Sequence, residues 1–192
     1  MKTKYKSGMR RMMVRGLALA ALALGSARMS AQATATGFIN ATLVNKNGIA
    51  LIFDTDPAGL TLGASGTSAV SADFGNISAF GPLSAGVTRP SVTAANFTVR
   101  TIFDVNVFQG GLNSNSYTLA ANLAAVAPTG MNYKVDTVTL TTTSQTIVTN
   151  GTYNVDVPHN LDLVVSTAAP GAGGPAVGTP LTVTVNFTAT AN

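Results

Sequence analysis

Residues 181–189 read LTVTVNFTA, and this stretch decides the fold class. All of its odd-numbered positions are apolar, and all of its even-numbered positions are threonine or asparagine. Successive side chains of a β-strand point to opposite faces, so a period of two predicts a strand with one face buried against a core. A helix would instead repeat its apolar positions every three or four residues.

The same alternation recurs upstream. Residues 97–107 carry phenylalanine and valine on one face, interrupted by Thr101, and residues 117–123 continue the pattern. The run TLAANLAAVA at residues 118–127 also suits a short alanine-rich helix, but the alternation begins before it and no helix cap precedes it. We therefore predict a strand there. Further strands are predicted at residues 38–44, 49–53, 69–74, 131–140 and 161–165.

Turn-forming residues separate these segments. Asn150-Gly151, placed between TIVT and TYNVDV, is a typical signal for a two-residue β-hairpin turn. The glycine- and proline-rich residues 168–180 predict a long loop before the strand at 181–190. About eight short strands joined by turns predict an all-β fold, a single antiparallel β-sandwich.

Composition favours the same fold class. The chain has 192 residues, a length that suits one domain, and 46% of them are hydrophobic. Charged residues make up only 9%, and glutamate is absent. Helix formers such as glutamate, lysine, arginine and methionine are nearly missing after residue 33, whereas threonine, valine and phenylalanine, which suit a pleated surface, are abundant.

The first 33 residues have the three parts of a secretory signal peptide. Residues 1–15 hold six positive charges, residues 16–25 (GLALAALALG) are apolar, and small residues follow. The sequence predicts cleavage after Ala33 or Ala31, which leaves residues 34–192 as the exported β-sandwich domain. An uncleaved membrane anchor is the alternative, but the apolar run is far shorter than the ~20 residues that span a bilayer. We expect no membrane span after processing.

Charge and cysteine content narrow the function classes. Seven of the 11 lysines and arginines precede residue 34, which leaves four against seven aspartates in the exported part, a net charge of −3. A nucleic-acid-binding protein needs a basic face that this part lacks, so we expect no nucleic-acid partner. The chain has no cysteine, so it forms no disulfide.

Catalytic and metal-binding patterns are weak. His159 is the only histidine and is predicted to lie in a loop; no Gly-x-Ser-x-Gly motif accompanies it. Asp54 and Asp56 have the oxygen ligands that Ca²⁺ prefers, yet aspartate beside proline and glycine is also ordinary turn chemistry. The sequence therefore predicts no enzyme, no cofactor and no metal, and turn chemistry is the favoured interpretation of the two aspartates.

The segment at residues 36–44 suggests an assembly mechanism. Ile39, Ala41 and Leu43 alternate with polar residues, which predicts an apolar-faced strand close to the expected cleavage site. Such a strand either closes its own sandwich or completes a neighbouring subunit by strand addition. The acceptor edge would be the strand at 181–190, with these inward-facing residues: Leu181, Val183, Val185 and Phe187. Repeated head-to-tail, this contact builds a filament.

Several short motifs carry a family resemblance. They are Asp73-Phe74-Gly75, Ala85-Gly86, Gly110-Gly111, Ser116-Tyr117-Thr118-Leu119 and the ending GTPLTVTVNF at residues 178–187. The chain resembles the spore coat protein U family, secreted β-sandwich proteins related to archaic chaperone–usher pilus subunits. The resemblance spans most of residues 36–187.

This resemblance implies an incomplete immunoglobulin-like, pilin-like sandwich that serves as a structural subunit of a surface fibre or coat. It implies a homopolymer or related subunits as partners, a periplasmic chaperone and an outer-membrane usher in transit, and a final location on the cell surface or outside the cell. The alternative is a monomeric secreted module that binds carbohydrate or a surface, which an exposed Tyr133–Tyr153 pair would favour. A secreted hydrolase would need His159 beside an aspartate and a serine.

Overall fold

The computed structural model describes residues 48–178 and 180–192. These residues form no helix, and so none that could cross a membrane. They belong to one compact unit, residues 43–192, and the predicted signal peptide and the strand at 38–44 lie outside the described residues. The strands are β1 (Gly48–Asp54), β2 (Thr88–Val92), β3 (Asn96–Gly110), β4 (Tyr117–Leu123), β5 (Met131–Val135), β6 (Val138–Thr139), β7 (Gln145–Gly151), β8 (Val157–Ser166) and β9 (Val185–Ala191).

The strands form two antiparallel sheets. The larger sheet has the order β1-β3-β8-β5-β6, with β2 also paired to β3, and the smaller sheet has the order β7-β4-β9. Every ladder in both sheets is antiparallel. This arrangement confirms the predicted all-β sandwich. It also confirms residues 117–123 as a strand rather than a helix.

Strand β3 is the central strand of the larger sheet. One side of it pairs with β2 near its start and with β1 near its end, and the other side pairs with β8. Its inward-facing valines, Val99, Val105 and Val107, are fully buried. The alternation of residues 97–107 seen in the sequence therefore reflects a strand that packs one face into the core.

Two apolar clusters cover the inner face of the larger sheet. The first lies between the sheets and includes Phe103, Val105, Leu119 and Leu123. The second lies beyond the smaller sheet, where the long connection at residues 55–87 supplies the covering side chains. Its buried members are Leu60, Val87, Phe97, Val99, Met131, Leu163 and Val165.

Six of the nine described strands follow the order of the immunoglobulin sandwich, and β2, β6 and β7 are additional to it. β1, β3, β8 and β5 occupy the positions of strands A, B, E and D in one sheet, and β4 and β9 occupy those of C and F in the other. Strands C and F of that fold are followed by a strand G beside F. No described strand occupies the position of G, so β9 is an edge strand in the described part of the sheet.

The hairpin predicted at Asn150-Gly151 is wrong. Both residues lie at the end of β7, where the pairing with β4 changes register. Asn150 has a positive φ of 61°, so the Asn-Gly pair produces a β-bulge instead of a turn. The chain turns after it, at residues 152–156, where Asn154 has a φ of 60°, and then crosses to β8 in the other sheet.

Other strand boundaries also differ from the prediction. Residues 69–74 form no strand; Ser71 makes only an isolated bridge to Gly63. The segment at 131–140 divides into β5 and β6 because Asp136 has a φ of 54° and turns the chain. β8 begins four residues before the predicted 161–165, and β9 covers 185–191 instead of 181–190. β2 was not predicted, because Pro90 interrupts its sequence, although proline is tolerated on an edge strand.

Candidate functional site

The candidate site is a cleft between the edges of the two sheets, and its walls are β1 and β9. Among the described strands, β1 pairs with β3 and β9 pairs with β4. Phe53 of β1 also makes an isolated antiparallel bridge to Thr67, in the connection that follows the strand. The two strands approach each other at one end, where the rings of Phe53 and Phe187 meet edge-on with centroids 5.1 Å apart. The edge of β9 away from β4 has no strand partner among the described residues. On the corresponding edge of β1, the N–H of Phe53 donates to the carbonyl of Thr67, and the carbonyl of Phe53 accepts from the N–H of Gly66.

Apolar side chains of β9 are only half covered. Val185, Phe187 and Ala189 point toward the core and pack against its edge, but each remains partly exposed. Their register partners on the central strand β4 are Leu123, Ala121 and Leu119, which are 0–2% exposed. The difference arises because β4 has neighbours on both sides, whereas β9 has one.

Apolar side chains of β1, the other wall, are also only partly covered, and they become more buried toward the contact with β9. Ile49 and Leu51 of β1 point inward and are partly buried, whereas Phe53, near the contact with β9, is buried. The rings of Phe53, Phe103 and Phe187 contact one another and form the floor at that end. The cleft is thus apolar inside and bordered by two strand edges.

The structure places the predicted acceptor residues in two groups. Val185 and Phe187 lie on β9 and face the cleft. Leu181 and Val183 precede the strand; Val183 packs against the first core cluster, and Leu181 is 44% exposed.

The predicted donor residues, Ile39, Ala41 and Leu43, lie outside the described residues. The prediction that they enter an acceptor cleft therefore stays a prediction.

Sequence reasoning missed half of the cleft. It predicted a strand at 49–53 but gave no role to Ile49, Leu51 and Phe53, which form the second wall. The available signal was the alternating pattern of GIALIFD, which predicts a strand. Its position at the sheet edge beside β9 depends on pairing with residues more than fifty positions away, and no local pattern encodes that.

The prediction that His159 lies in a loop is wrong. It lies on β8, is 3% exposed, and faces the ring of Phe103. Its Nδ1 is 2.8 Å from Oδ2 of Asp136, so an aspartate orients the imidazole. The other nitrogen, Nε2, is buried and has no hydrogen-bond partner among the described residues. A serine at Nε2, which a hydrolase would require, is not found there.

Neither tyrosine proposed for sugar binding is presented on the surface. Tyr153 is 7% exposed; its ring packs on Tyr117, and its hydroxyl donates to the carbonyl of Ser116. Tyr133 is partly buried, and its pKa is raised by desolvation. The observation that would have favoured a carbohydrate-binding module is absent at these two positions.

Carboxylates gather at the end of β1. Asp54 lies directly opposite Asp104 of β3 in register. The pKa of Asp104 is raised, first by desolvation, then by the charges of Asp56, Asp156 and Asp54, and also by a hydrogen bond to Asp56. Within residues 48–178 and 180–192, no group of three or more acidic or histidine side chains is already arranged to hold a metal ion.

No family model matches the chain, and no curated protein matches it. The resemblance to the spore coat protein U family therefore rests on the short motifs alone.

Proposed function

We propose that this protein is an exported structural subunit that polymerises on the cell surface by strand donation. The observation that carries the proposal is the apolar cleft between β1 and β9, which lies where the seventh strand of an immunoglobulin sandwich would pair. A strand inserted there would hydrogen-bond to the free edge of β9 and cover its half-exposed apolar residues.

Residues 36–44 are the segment that we propose as the inserted strand. Its apolar positions, Ile39, Ala41 and Leu43, have the spacing of Val185, Phe187 and Ala189 on β9. Burying Ile39 and Leu43 would contribute roughly 3–4 kcal/mol at ~1.5–2 kcal/mol each, and the methyl group of Ala41 about 0.8 kcal/mol more, beyond the main-chain hydrogen bonds. Each junction of a linear fibre must hold on its own, so the main-chain hydrogen bonds to β9 add to this contribution at every junction.

The short connection between residues 36–44 and β1 determines which strand the segment can reach in its own chain and which it can reach in a neighbouring chain. Only residues 45–47 lie between the proposed donor segment and Gly48, and a three-residue connection suits a β-hairpin. In its own chain the segment would therefore fold back along the first residues of β1, before Phe53, whose backbone groups are bonded to Thr67 and Gly66. In a neighbouring chain it meets no such restriction and can pair with β9.

The proposal extends to the route of assembly. An exported subunit whose cleft is open exposes apolar side chains, and free strand edges aggregate. We therefore propose that a periplasmic chaperone covers the cleft in transit and that an outer-membrane usher exchanges it for the next subunit. The product would be a coat or pilus-like fibre outside the cell.

Polymerisation is tested in cells that express the full chain. The protein sheared from the cell surface is separated on a denaturing gel with and without boiling. We expect a ladder that collapses on boiling to the mass of the processed subunit, because each sandwich includes its neighbour's strand. Ile39→Asp and Leu43→Asp should abolish the ladder without unfolding the domain. Thr42→Asp, on the other face of the same segment, is the matched control and should keep it.

Single-cysteine variants identify the strand's partner, since the native chain has no cysteine. Asn40→Cys in one chain and Thr188→Cys in another are expected to form disulfide-linked dimers when the two are expressed together. Thr42→Cys with Thr190→Cys covers a second register. Monomers in the unboiled wild type, or cross-links formed only when both cysteines are in one chain, would overturn the proposal.

A further inference from the structure

A cluster of four carboxylates lies at the junction of β1, β3 and the turn before β8. Asp54 and Asp104 are directly opposite each other on neighbouring strands, so their side chains share the outer face of the larger sheet. Like charges in this position are destabilising unless something compensates them.

Two further aspartates join this pair. Asp56, in the turn after β1, and Asp156, before β8, both raise the pKa of Asp104 through their charges, and Asp56 does so through a hydrogen bond as well. Two carboxylates in hydrogen-bond contact require either a shared proton or a cation between them, because both are acceptors when ionised.

Asn106 supplies a second, independent observation. It lies two residues after Asp104 on β3, which places its side chain on the same outer face. It is 7% exposed, and its Nδ2 donates to Oδ1 of Asp156 at 2.7 Å, so the amide head lies among the carboxylates. Its Oδ1 is buried and has no hydrogen-bond partner in the described part of the chain. A buried carbonyl oxygen beside carboxylates lacks a positive partner.

The two arginines that the structure describes are engaged elsewhere, and the described lysine lies on β5. Arg100 makes a two-point ion pair with Asp162, and Lys134 lies opposite Asp162 in register. Arg89 donates to the carbonyls of Ser78 and Gly81. No lysine or arginine is among the groups that shift the pKa of Asp104.

We propose that Asp54, Asp56, Asp104 and Asp156, with Oδ1 of Asn106, form a Ca²⁺ site. Ca²⁺ takes six to eight oxygen ligands in flexible geometry, and carboxylates with amide or backbone carbonyls and water are its usual set. These side chains do not yet converge on one point. The β1–β3 ladder fixes the backbones of Asp54, Asp104 and Asn106, and Asp56 and Asp156 lie in the turns beside it, so the site closes by rotation of side chains when the ion binds. Calcium sites of extracellular modules have a Kd of about 0.1–1 mM, and we expect a Kd in this range if the domain is exported as proposed.

The site would fasten the turn at residues 55–59 and the turn before β8 to the sheet. Asp56 already orders its turn, because its Oδ1 accepts from the backbone N–H of Ala58 at 2.7 Å. Binding an ion between Asp56, Asp104 and Asp156 would replace repulsion among them with attraction. The expected consequence is that the folded state becomes more stable as Ca²⁺ is added.

Calorimetric titration and thermal unfolding of the full-length processed protein test the proposal. Calcium chloride is varied over about 0.01–10 mM, which brackets that affinity, with magnesium chloride and sodium chloride of equal ionic strength as comparisons. We expect saturable heat with one Ca²⁺ per chain and a midpoint of unfolding that rises with Ca²⁺. Mg²⁺ should give a smaller rise, because it demands a stricter octahedral geometry.

Charge-neutralising variants locate the site. Asp104→Asn combined with Asp56→Asn should remove both the heat and the calcium-dependent rise. Asp73→Asn changes an aspartate in a separate exposed loop, where it accepts from the N–H of Gly75, and should keep both. The proposal is overturned if the double variant still binds Ca²⁺ with wild-type affinity, or if the wild type gives no saturable heat. If the double variant does not fold, Asp156→Asn alone must weaken binding at least tenfold.

Discussion

Gly59 shows how closely one residue can control the packing of the long connection at residues 55–87. A Cβ built on Gly59 would lie 1.8 Å from the carbonyl oxygen of Ile102, which is a backbone atom of β3 and cannot rotate away. The backbone N–H of the next residue, Leu60, donates to the hydroxyl of Thr101 at 2.8 Å. The connection therefore touches the central strand directly, and any side chain at position 59 would separate them.

We predict that Gly59→Ala lowers the free energy of unfolding by about 2–3 kcal/mol, because overpacking against fixed atoms costs that much. Gly48→Ala is the matched control: it is on β1, has no positive φ, and nothing lies within 4 Å of its added Cβ. Denaturant unfolding of both variants measures the difference. An equal effect of the two substitutions would show that the contact with Ile102 does not limit residue 59.

The ion pair of Arg100 and Asp162 provides a second prediction at this scale. Nε and one terminal nitrogen of Arg100 donate to the two carboxylate oxygens at 2.6 and 2.8 Å, and Asp162 is 5% exposed. The hydrogen bond to Asp162 raises the pKa of Arg100. Arg100→Ala leaves a buried carboxylate unpaired, so we expect a loss of about 1.5–3 kcal/mol, reduced toward the lower end because the arginine is one-third exposed.

A double-mutant cycle with Asp162→Ala isolates the pair. We expect the double variant to lose less stability than the sum of the two single variants, because removing both partners leaves no unpaired charge. Additive losses in denaturant unfolding would contradict this expectation.

At the scale of elements, period-two alternation predicted those strands whose two faces differ. β4 alternates between buried and half-buried residues, β9 alternates between half-buried and exposed residues, and β3 buries one face more deeply than the other, so their sequences indicate both the strand and its more buried side. The sequence did not predict β2, because Pro90 reduces the strand signal on an edge strand. It also misplaced the turn near Asn150, because Asn-Gly supplies the same positive φ to a bulge as to a hairpin.

The candidate site was only half predictable for a related reason. Val185 and Phe187 could be assigned to an apolar face from their own segment. Their apposition to Ile49 and Leu51 arises from how the two sheets stack, which depends on long-range pairing. The carboxylate cluster is similar: Asp54 and Asp56 are neighbours in sequence, but Asp104 and Asp156 reach them only through the ladders of β3.

At the scale of the whole molecule, two tyrosines with desolvated hydroxyl groups predict how the free energy of unfolding changes at alkaline pH. Desolvation raises the pKa of Tyr117 and Tyr133, and the charge of Tyr153 raises that of Tyr117 further. The folded state then resists ionisation that the unfolded chain allows. The contribution of these tyrosines to the free energy of unfolding is fully present below pH ~10, the ordinary pKa of a phenol, and it decreases as the pH rises above that value.

Unfolding in denaturant between about pH 9 and 12, with phenolate absorbance recorded in parallel, measures this decrease. Tyr117→Phe should reduce the slope of stability against pH, since one group that releases a proton on unfolding is removed. Normal titration of all the tyrosines of the folded domain in this range would contradict the prediction.

The distance along the chain between paired strands sets the order in which this molecule can be built. β4 pairs with β9 although residues 124–184 lie between them, and β3 pairs with β8 across residues 111–156. Loop entropy must be lost before such contacts form, so sandwiches of this kind fold in milliseconds to seconds, far more slowly than helical bundles. Until β9 has been synthesised, β4 lacks this partner strand, and Leu119 and Leu123 are uncovered on that side. The rate at which the chain is completed, as much as its final stability, therefore determines how long a partly folded sandwich with uncovered apolar side chains exists.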